Sequence, residues 1–384
     1  MIPYGCQDID DKDIEEVIKV LKSAFITQGS KPREFETNLS QYTGAKYSVV
    51  MNSATSALHS ACLALGLGKG DFLWTSPNTF VASANCGVLC GASIDFIDID
   101  PLTYNMDPHI LEEKLVKAKS ENKLPKIIIP VHYAGQSCEM KKIYELSKEY
   151  GFKIIEDASH AVGGSYMGHP VGSCRYSDVT VFSFHPVKII TTGEGGACMT
   201  NNSFVAEKIR RFASHGITKN QNFFTEHNEG DWYYEQQSIG LNYRMTDIAA
   251  SLGITQLEKI SEFIKKRHEI SQKYNAKLKN LPITLPFQSD NCFSSLHLYP
   301  IQINLNETKK SREYVFKELR KAKIGVNVHY IPVHLHPFYK KKGFKYGDYQ
   351  NAESFYEKEI SLPIFSKLAD ENQEYVIEKL IEIF

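Results

Sequence analysis

The sequence predicts an α/β protein: a large sheet domain followed by a smaller α+β unit. Three observations point there. Near-continuous apolar runs such as Lys126–Val131 and Phe152–Asp157 have the texture of parallel strands buried on both faces. Helical patterns such as Met140–Tyr150 alternate with them. Near residue 285 the texture changes, because Leu281-Pro282 and Leu285-Pro286 break a long helical region. The expected division is 1–250 for the large domain and 251–384 for the small one, with a long connecting helix.

The totals exclude several classes. A chain of 384 residues has room for two domains, and 42% hydrophobic with 23% charged residues is an ordinary globular composition. A net charge of -1 argues against a broad nucleic-acid footprint or a polybasic membrane patch. No run approaches the ~18 apolar residues of a membrane span. The start, Met1-Ile2-Pro3-Tyr4-Gly5, lacks the features of a signal peptide. The eight cysteines are scattered without a CxxC pair, which reads as buried free thiols in a reducing cytoplasm.

In chain order, residues 11–24 put Ile14, Val17, Ile18 and Leu21 on one stripe of an amphipathic helix. A turn at Gly29 and a helix through Phe35 and Leu39 follow. The strand Lys46–Met51 runs into Asn52-Ser53-Ala54-Thr55-Ser56-Ala57-Leu58-His59, which opens a helix to about Leu67. Small and hydroxyl residues there cap the helix and leave N–H groups free at its positive end, where a phosphate would sit; plain capping accounts for the same residues. Phe72–Thr75 is a strand ended by Ser76-Pro77-Asn78-Thr79. Phe80 opens the next helix, placed to lie on a planar ring or to fill the core. Ser93–Ile97 is a further strand.

Asp157 ends its strand at the edge where open α/β sheets gather ligands. A lone buried carboxylate is costly, and a protonated ring nitrogen would partner it. His160 follows, either to orient that pair or as a satisfied core histidine. The strand Asp178–Phe184 then delivers Ser183 and Lys188 into the turn Thr191-Thr192-Gly193-Glu194-Gly195-Gly196, before a strand at Ala197–Thr200. Burial lowers a lysine pKa, and the neutral amine is the nucleophile that condenses with a carbonyl cofactor. A solvated lysine on a hairpin is the alternative.

Beyond it lie a helix at Ser203–Ser214, a polar aromatic stretch at His215–Glu235, and Gly240–Asp247 leading into a helical region at 246–280. Thr246 or Asp247 caps that region, and the polar cluster before it either lies on the surface or reaches across a subunit boundary. The small unit reads as strands Ser295–Asn304 and Val326–Tyr330 with helices Lys309–Ala322 and Gln373–Phe384. His329, His334 and His336 have the spacing H-x4-H-x-H, which matches no usual zinc pattern, so no metal is expected and a pocket wall is.

Five motifs stand in one order: Asn-Ser-Ala-Thr-Ser-Ala-Leu (52–58), Pro-Asn-Thr-Phe-Val-Ala-Ser (77–83), Glu-Asp-Ala-Ser-His-Ala (156–161), Ser-Phe-His-Pro-Val-Lys (183–188) and Asn-Tyr-Arg-Met (242–245). Together they resemble the DegT/DnrJ/EryC1/StrS family of sugar-nucleotide aminotransferases, fold-type I enzymes of pyridoxal 5'-phosphate (PLP). Val-His-Tyr-x-Pro (328–332), Glu-Ile-Ser-Leu-Pro (359–363), Tyr4 and Ile26-Thr27-Gln28-Gly29 look most like the branch that serves pseudaminic acid synthesis. The resemblance implies a large, mostly parallel seven-stranded sheet and a homodimer with shared active sites.

It also implies roles. Lys188 would join PLP as an imine, and Asp157 would pair with the ring nitrogen. Ala54, Thr55 and Ser183 would hold the phosphate, with Asn242 from the neighbouring subunit. Phe80 would stack on the ring, and His160 would lie near its 3-hydroxyl side. Tyr4, Ala24, Phe25, Ile26, Thr27, Asn327, Val328, His329, Tyr330 and Tyr339 would line the sugar-nucleotide site. The implied reaction moves an amino group from L-glutamate to C4 of a UDP-linked 4-keto-6-deoxy-N-acetyl-hexosamine. A dTDP- or GDP-linked sugar, or a non-catalytic binding protein on the same fold, is the alternative.

Overall fold

The computed structural model describes residues 1–384. Seven strands form the central sheet: β1 Tyr47–Met51, β2 Phe72–Thr75, β3 Ser93–Phe96, β4 Ile127–Ile129, β5 Lys153–Asp157, β6 Val179–Ser183 and β7 Gly196–Thr200. Their order is β1-β7-β6-β5-β4-β2-β3. Pairing is parallel from β3 through β2, β4 and β5 to β6. The strand β7 runs antiparallel to both β6 and β1. The Ile-Ile-Ile of β4 is buried throughout, as a central strand under helices on both faces requires.

Helices cover both faces. On one side Phe35 and Leu39 of α2 (Lys31–Thr43) pack with Phe182, Phe184 and Ile254. On the other, Leu58 and Cys62 of α3 (Ala54–Ala64) pack with Ile127 and Val179. Each such fully buried large side chain contributes roughly 1.5–3 kcal/mol. The parallel register brings the C-terminal ends of β5 and β6 to the same edge, with Asp157 opposite Val181.

The small unit is an antiparallel sheet of β8 Ile283–Thr284, β9 Tyr299–Ile303 and β10 Glu359–Leu362. The N-terminal strip belongs to it: Ile2 bridges to Ile324, and the Ile364 N–H donates to Tyr4 O at 3.1 Å.

Several expectations are corrected. The region 246–280 is two helices, α4 Asp247–Glu258 and α5 Ile260–Leu278, separated at Lys259. The Lys259 ammonium there binds Asp10 at 2.8 Å and Asp13 at 2.6 Å. Residue 250 lies inside α4, and the change of core comes later: Ile260 and Ile264 pack with the large domain, Ile270 and Leu278 with the small one.

The strand expected at Val326–Tyr330 is a single bridge between Asn327 and Ser361. Side chains take the next donors, since Asn327 Oδ1 accepts the Val328 N–H and Glu359 Oε2 accepts the His329 N–H. The strand expected from Ser295 begins at Tyr299, because the N–H groups of Ser295 and His297 donate to Gly135 O and Ala134 O.

The stripe of the first helix, α1 (Asp11–Leu21), faces outward, with Ile14 49% and Leu21 56% exposed. Asp13 turns inward instead, accepting from Gln256 Nε2 at 2.8 Å and from Thr255 and Lys259. Helices at Pro108–Ser120 and Gln350–Lys358 were not anticipated.

Candidate active site

The strand ends and the small unit enclose a cavity of about 610 Å³. Lys188 reaches it from the turn after β6. That turn is held by its own hydroxyls: Thr191 Oγ1 and the Thr192 N–H both donate to Phe184 O at 3.0 Å, and Thr192 Oγ1 donates to Glu194 O at 2.8 Å. Ile189 and Ile190 are buried, so the turn is anchored in the core. Enclosure brings the Lys188 ammonium down to about 8, although the Asp157 carboxylate pulls the other way.

Asp157 faces the same cavity from the end of β5 and is 5% exposed. Its Oδ2 accepts Ser83 Oγ at 2.6 Å, and its Oδ1 accepts the Ser159 N–H at 3.1 Å. Neither partner is a cation, so the charge is oriented but not neutralised. Ser83 escaped sequence reasoning, since it reads as a small residue of a packed helix.

The third feature is the start of α3. Ser53 caps it by accepting the Ser56 N–H at 3.1 Å, and Ala54, Thr55 and Ser183 line the cavity there. Close approach is required: a Cβ on Gly196 would lie 2.5 Å from the Ala54 nitrogen. First-turn N–H groups beside the Ser183 hydroxyl make an anion seat.

The small unit supplies the opposite wall through Tyr4, Asn327, Val328, His329 and Tyr330. Phe80 lies at the rim, 60% exposed, with its ring 6.3 Å from that of Tyr330. His160 Nδ1 accepts the Ala134 N–H at 3.3 Å, so Nε2 carries the hydrogen and donates to Tyr330 Oη at 3.0 Å. His297, missed in the sequence, lines the cavity with its ring 4.4 Å from that of His160 and Nδ1 without a partner. Its position follows from buried Arg267, which donates to Leu296 O, His297 O and Ile364 O. Burial, with the Lys188 charge next, keeps His160, His297 and His329 well below ordinary histidine values.

Other expected residues lie elsewhere. Tyr339 is 1% exposed, packs on Phe96, and donates to Asn85 Oδ1 at 2.7 Å, so it supports the wall from behind. Ala24, Phe25, Ile26 and Thr27 are exposed outside the cavity, on a segment pinned where Gly29 and Lys31 donate to Asp247. Asn242 is exposed and outside it as well.

The residues fit PLP. Its aldehyde requires a neutral amine, its ring nitrogen a carboxylate and its phosphate a cluster of N–H donors; Lys188, Asp157 and the start of α3 provide them.

The model of the DegT/DnrJ/EryC1/StrS aminotransferase family matches residues 7–381. A UDP-4-amino-4,6-dideoxy-N-acetyl-beta-L-altrosamine transaminase of Campylobacter jejuni is 41% identical over 386 residues, covering 100% of this chain and 97% of the relative. A solved Helicobacter pylori aminotransferase involved in the biosynthesis of pseudoaminic acid superposes with a TM-score of 0.90 at 34% identity, over 100% of this chain and 99% of that one. A Streptococcus pneumoniae protein described as a sugar aminotransferase, in its PLP form, gives 0.88 at 32% identity, over 100% and 98%.

Proposed function

The chain belongs to the DegT/DnrJ/EryC1/StrS aminotransferase family, and we propose that it moves an amino group from L-glutamate to C4 of a UDP-linked 4-keto-6-deoxy-N-acetyl-L-hexosamine. It is a PLP-dependent sugar-nucleotide aminotransferase. The product would be a UDP-4-amino-4,6-dideoxy sugar for pseudaminic acid. The observation that carries the reading is Lys188 and Asp157 facing one cavity in a chain similar from end to end to a transaminase of that sugar.

Bound PLP supplies an electron sink for the bond broken at the donor Cα. Asp157 would keep a proton on the ring nitrogen facing it. The N–H groups of Ala54 and Thr55 and the Ser183 hydroxyl would bind the phosphate. Lys188 Nζ, displaced by the donor amine, would take the donor Cα proton as general base and later give a proton to C4 of the sugar. Tyr4, Asn327, Val328, His329 and Tyr330 would enclose the sugar and exclude water.

The active unit would be a homodimer. Asn242 stands exposed outside its own cavity, and Ile14, Ile18, Leu21 and Phe25 leave an apolar face uncovered. A second copy would cover that face and receive Asn242 at its phosphate seat. The free cysteines suit a reducing compartment, and a cytoplasmic location is part of the proposal. No helix is long and apolar enough to cross a membrane.

The test incubates the enzyme with PLP, glutamate and a panel of UDP-, dTDP- and GDP-linked 4-keto sugars, read by mass spectrometry. The expected result is an amine on the UDP sugar with one 2-oxoglutarate released per product. Amination of only a dTDP or GDP sugar would overturn the substrate, and sugar binding without 2-oxoglutarate would overturn the reaction.

A further inference from the structure

A buried acid stands behind the cavity wall, joined to a histidine in it. Glu359, the first residue of β10, is 0% exposed. Its Oε2 accepts the His329 N–H at 2.8 Å, and its Oε1 accepts Ser361 Oγ at 2.5 Å. Ser361 Oγ lies 2.8 Å from His329 Nδ1. On the far side of the ring, Asn327 Nδ2 is 3.3 Å from Nε2, while Asn327 Oδ1 is occupied by the Val328 N–H.

A hydroxyl has one proton, so the directions of these bonds are linked. With Glu359 ionised, Ser361 donates to it, His329 Nδ1–H donates to Ser361, and Nε2 accepts from Asn327. With Glu359 protonated, its O–H donates to Ser361, Ser361 donates to Nδ1, and the ring hydrogen moves to Nε2. There it faces the Asn327 amide as a second donor and turns to the cavity.

We propose that Glu359 and Ser361 are positioning residues that switch the tautomer of His329, so that a proton held on the buried acid is offered to the cavity at Nε2. Burial raises the Glu359 carboxyl to about 8, against its bonds from Ser361 and the His329 N–H and the charge of Arg312. Tyr104, Tyr133 and Tyr330 also face it, each with its phenol held neutral by burial. Burial, then the nearby Lys188 ammonium, holds the His329 imidazole down to about 3. The carrier is therefore a change of neutral tautomer, not an imidazolium.

The use of this proton rests on the proposed transamination. In the acceptor half, a C–N bond forms at the sugar C4 and its C–O bond breaks; the oxygen takes one proton from the nitrogen, which keeps its other, and needs a second to leave as water. His329 Nε2–H supplies it, Ser361 protonates Nδ1, and Glu359 reprotonates Ser361 and is left ionised. In the donor half, water adds to carbon as a C–N bond breaks, and the proton that water sheds returns along the same path.

The test is NMR of 15N-histidine-labelled enzyme, with and without PLP, titrated through pH about 8. The His329 signals are assigned by their loss in His329→Gln. Nε2 is expected to carry hydrogen below the transition and a lone pair above it. Glu359→Gln keeps an oxygen on the His329 N–H and turns its NH2 to Ser361, so it locks the Nε2–H form at every pH. Ser361→Ala cuts the path and removes the pH response, and it carries the test alone should Glu359→Gln not fold. A wild-type His329 tautomer unaffected by pH, or one that still changes with pH in Glu359→Gln or Ser361→Ala, overturns the relay. These spectra need no sugar, so they stand or fall apart from the substrate. A kcat lower by about tenfold or more in both variants, with PLP affinity unchanged, is expected of a general-acid path. Switching spectra with unchanged kcat overturn its part in the reaction.

Discussion

Ser83 donates its hydroxyl proton to Asp157 Oδ2 at 2.6 Å, tying the helix Ala82–Leu89 to the end of β5. Because that proton is committed, Thr79 Oγ1, at 2.9 Å, donates to Ser83 in turn. The carboxylate is thereby held in one orientation by two neutral donors, Ser83 and the Ser159 N–H.

Replacing Ser83 by alanine removes one hydrogen bond to a buried charge, worth about 1.5–3 kcal/mol. Ser83→Ala is expected to lower kcat about tenfold and to weaken PLP binding, with the fold retained. Wild-type kcat together with a wild-type PLP spectrum would leave Ser83 no part in orienting Asp157.

Lys188→Ala should abolish turnover and the covalent PLP chromophore together. Asp157→Asn should retain PLP but lose most of its rate, since an amide cannot hold the ring proton by charge. The Lys188 ammonium is lowered to about 8, so its neutral, reactive fraction grows as pH rises through that value. The rate at which cofactor-free enzyme takes up PLP should rise across the same interval. A flat uptake rate would mean that the amine is not the titrating group.

Asp157 and Ser183 are legible in the sequence because each closes an apolar run that the sheet buries, which puts it at the ligand-binding edge, and Lys188 because it stands in the Gly-rich turn between two such strands. His297 and Ser83 are not, because a histidine between leucines and a serine among small residues look like ordinary packing. Glu359 left a signal that could have been used: an acid at the head of Glu-Ile-Ser-Leu, a strand buried throughout. Tyr339 is expected at the site from the family resemblance alone and backs the wall instead, while the stripe of α1 rests on periodicity. Periodicity tells that a face is apolar, not whether a neighbouring helix, a cavity or another chain covers it.

Gly196 is a steric prediction. A methyl there would press on the Ala54 nitrogen at 2.5 Å and on the Ser53 carbonyl at 2.6 Å, and both are backbone. The first turn of α3 would have to move away from the Ser183 hydroxyl. Gly196→Ala is therefore expected to weaken PLP far more than pyridoxal, which lacks the phosphate. An equal loss for both ligands would show that the strain is spread through the site and the anion seat is intact.

The three cavity histidines give the acid stability a definite sign. Burial, with the Lys188 charge second, holds His160, His297 and His329 neutral in the folded chain. The unfolded chain protonates them below pH about 6.5. It therefore binds more protons than the native state there, and stability present above that pH is lost as pH falls. Each group contributes about 1.4 kcal/mol per pH unit. Glu359 opposes them: its folded pKa is raised to about 8, so it contributes stability at low pH that disappears as pH rises through that value. Between pH about 4.5 and about 6.5 these four groups act as three protons against one, and cofactor-free enzyme should lose urea stability on acidification. His160→Gln should reduce that slope by one proton and Glu359→Gln should steepen it by one. Two slopes unchanged from wild type would mean that neither group is held as its surroundings require.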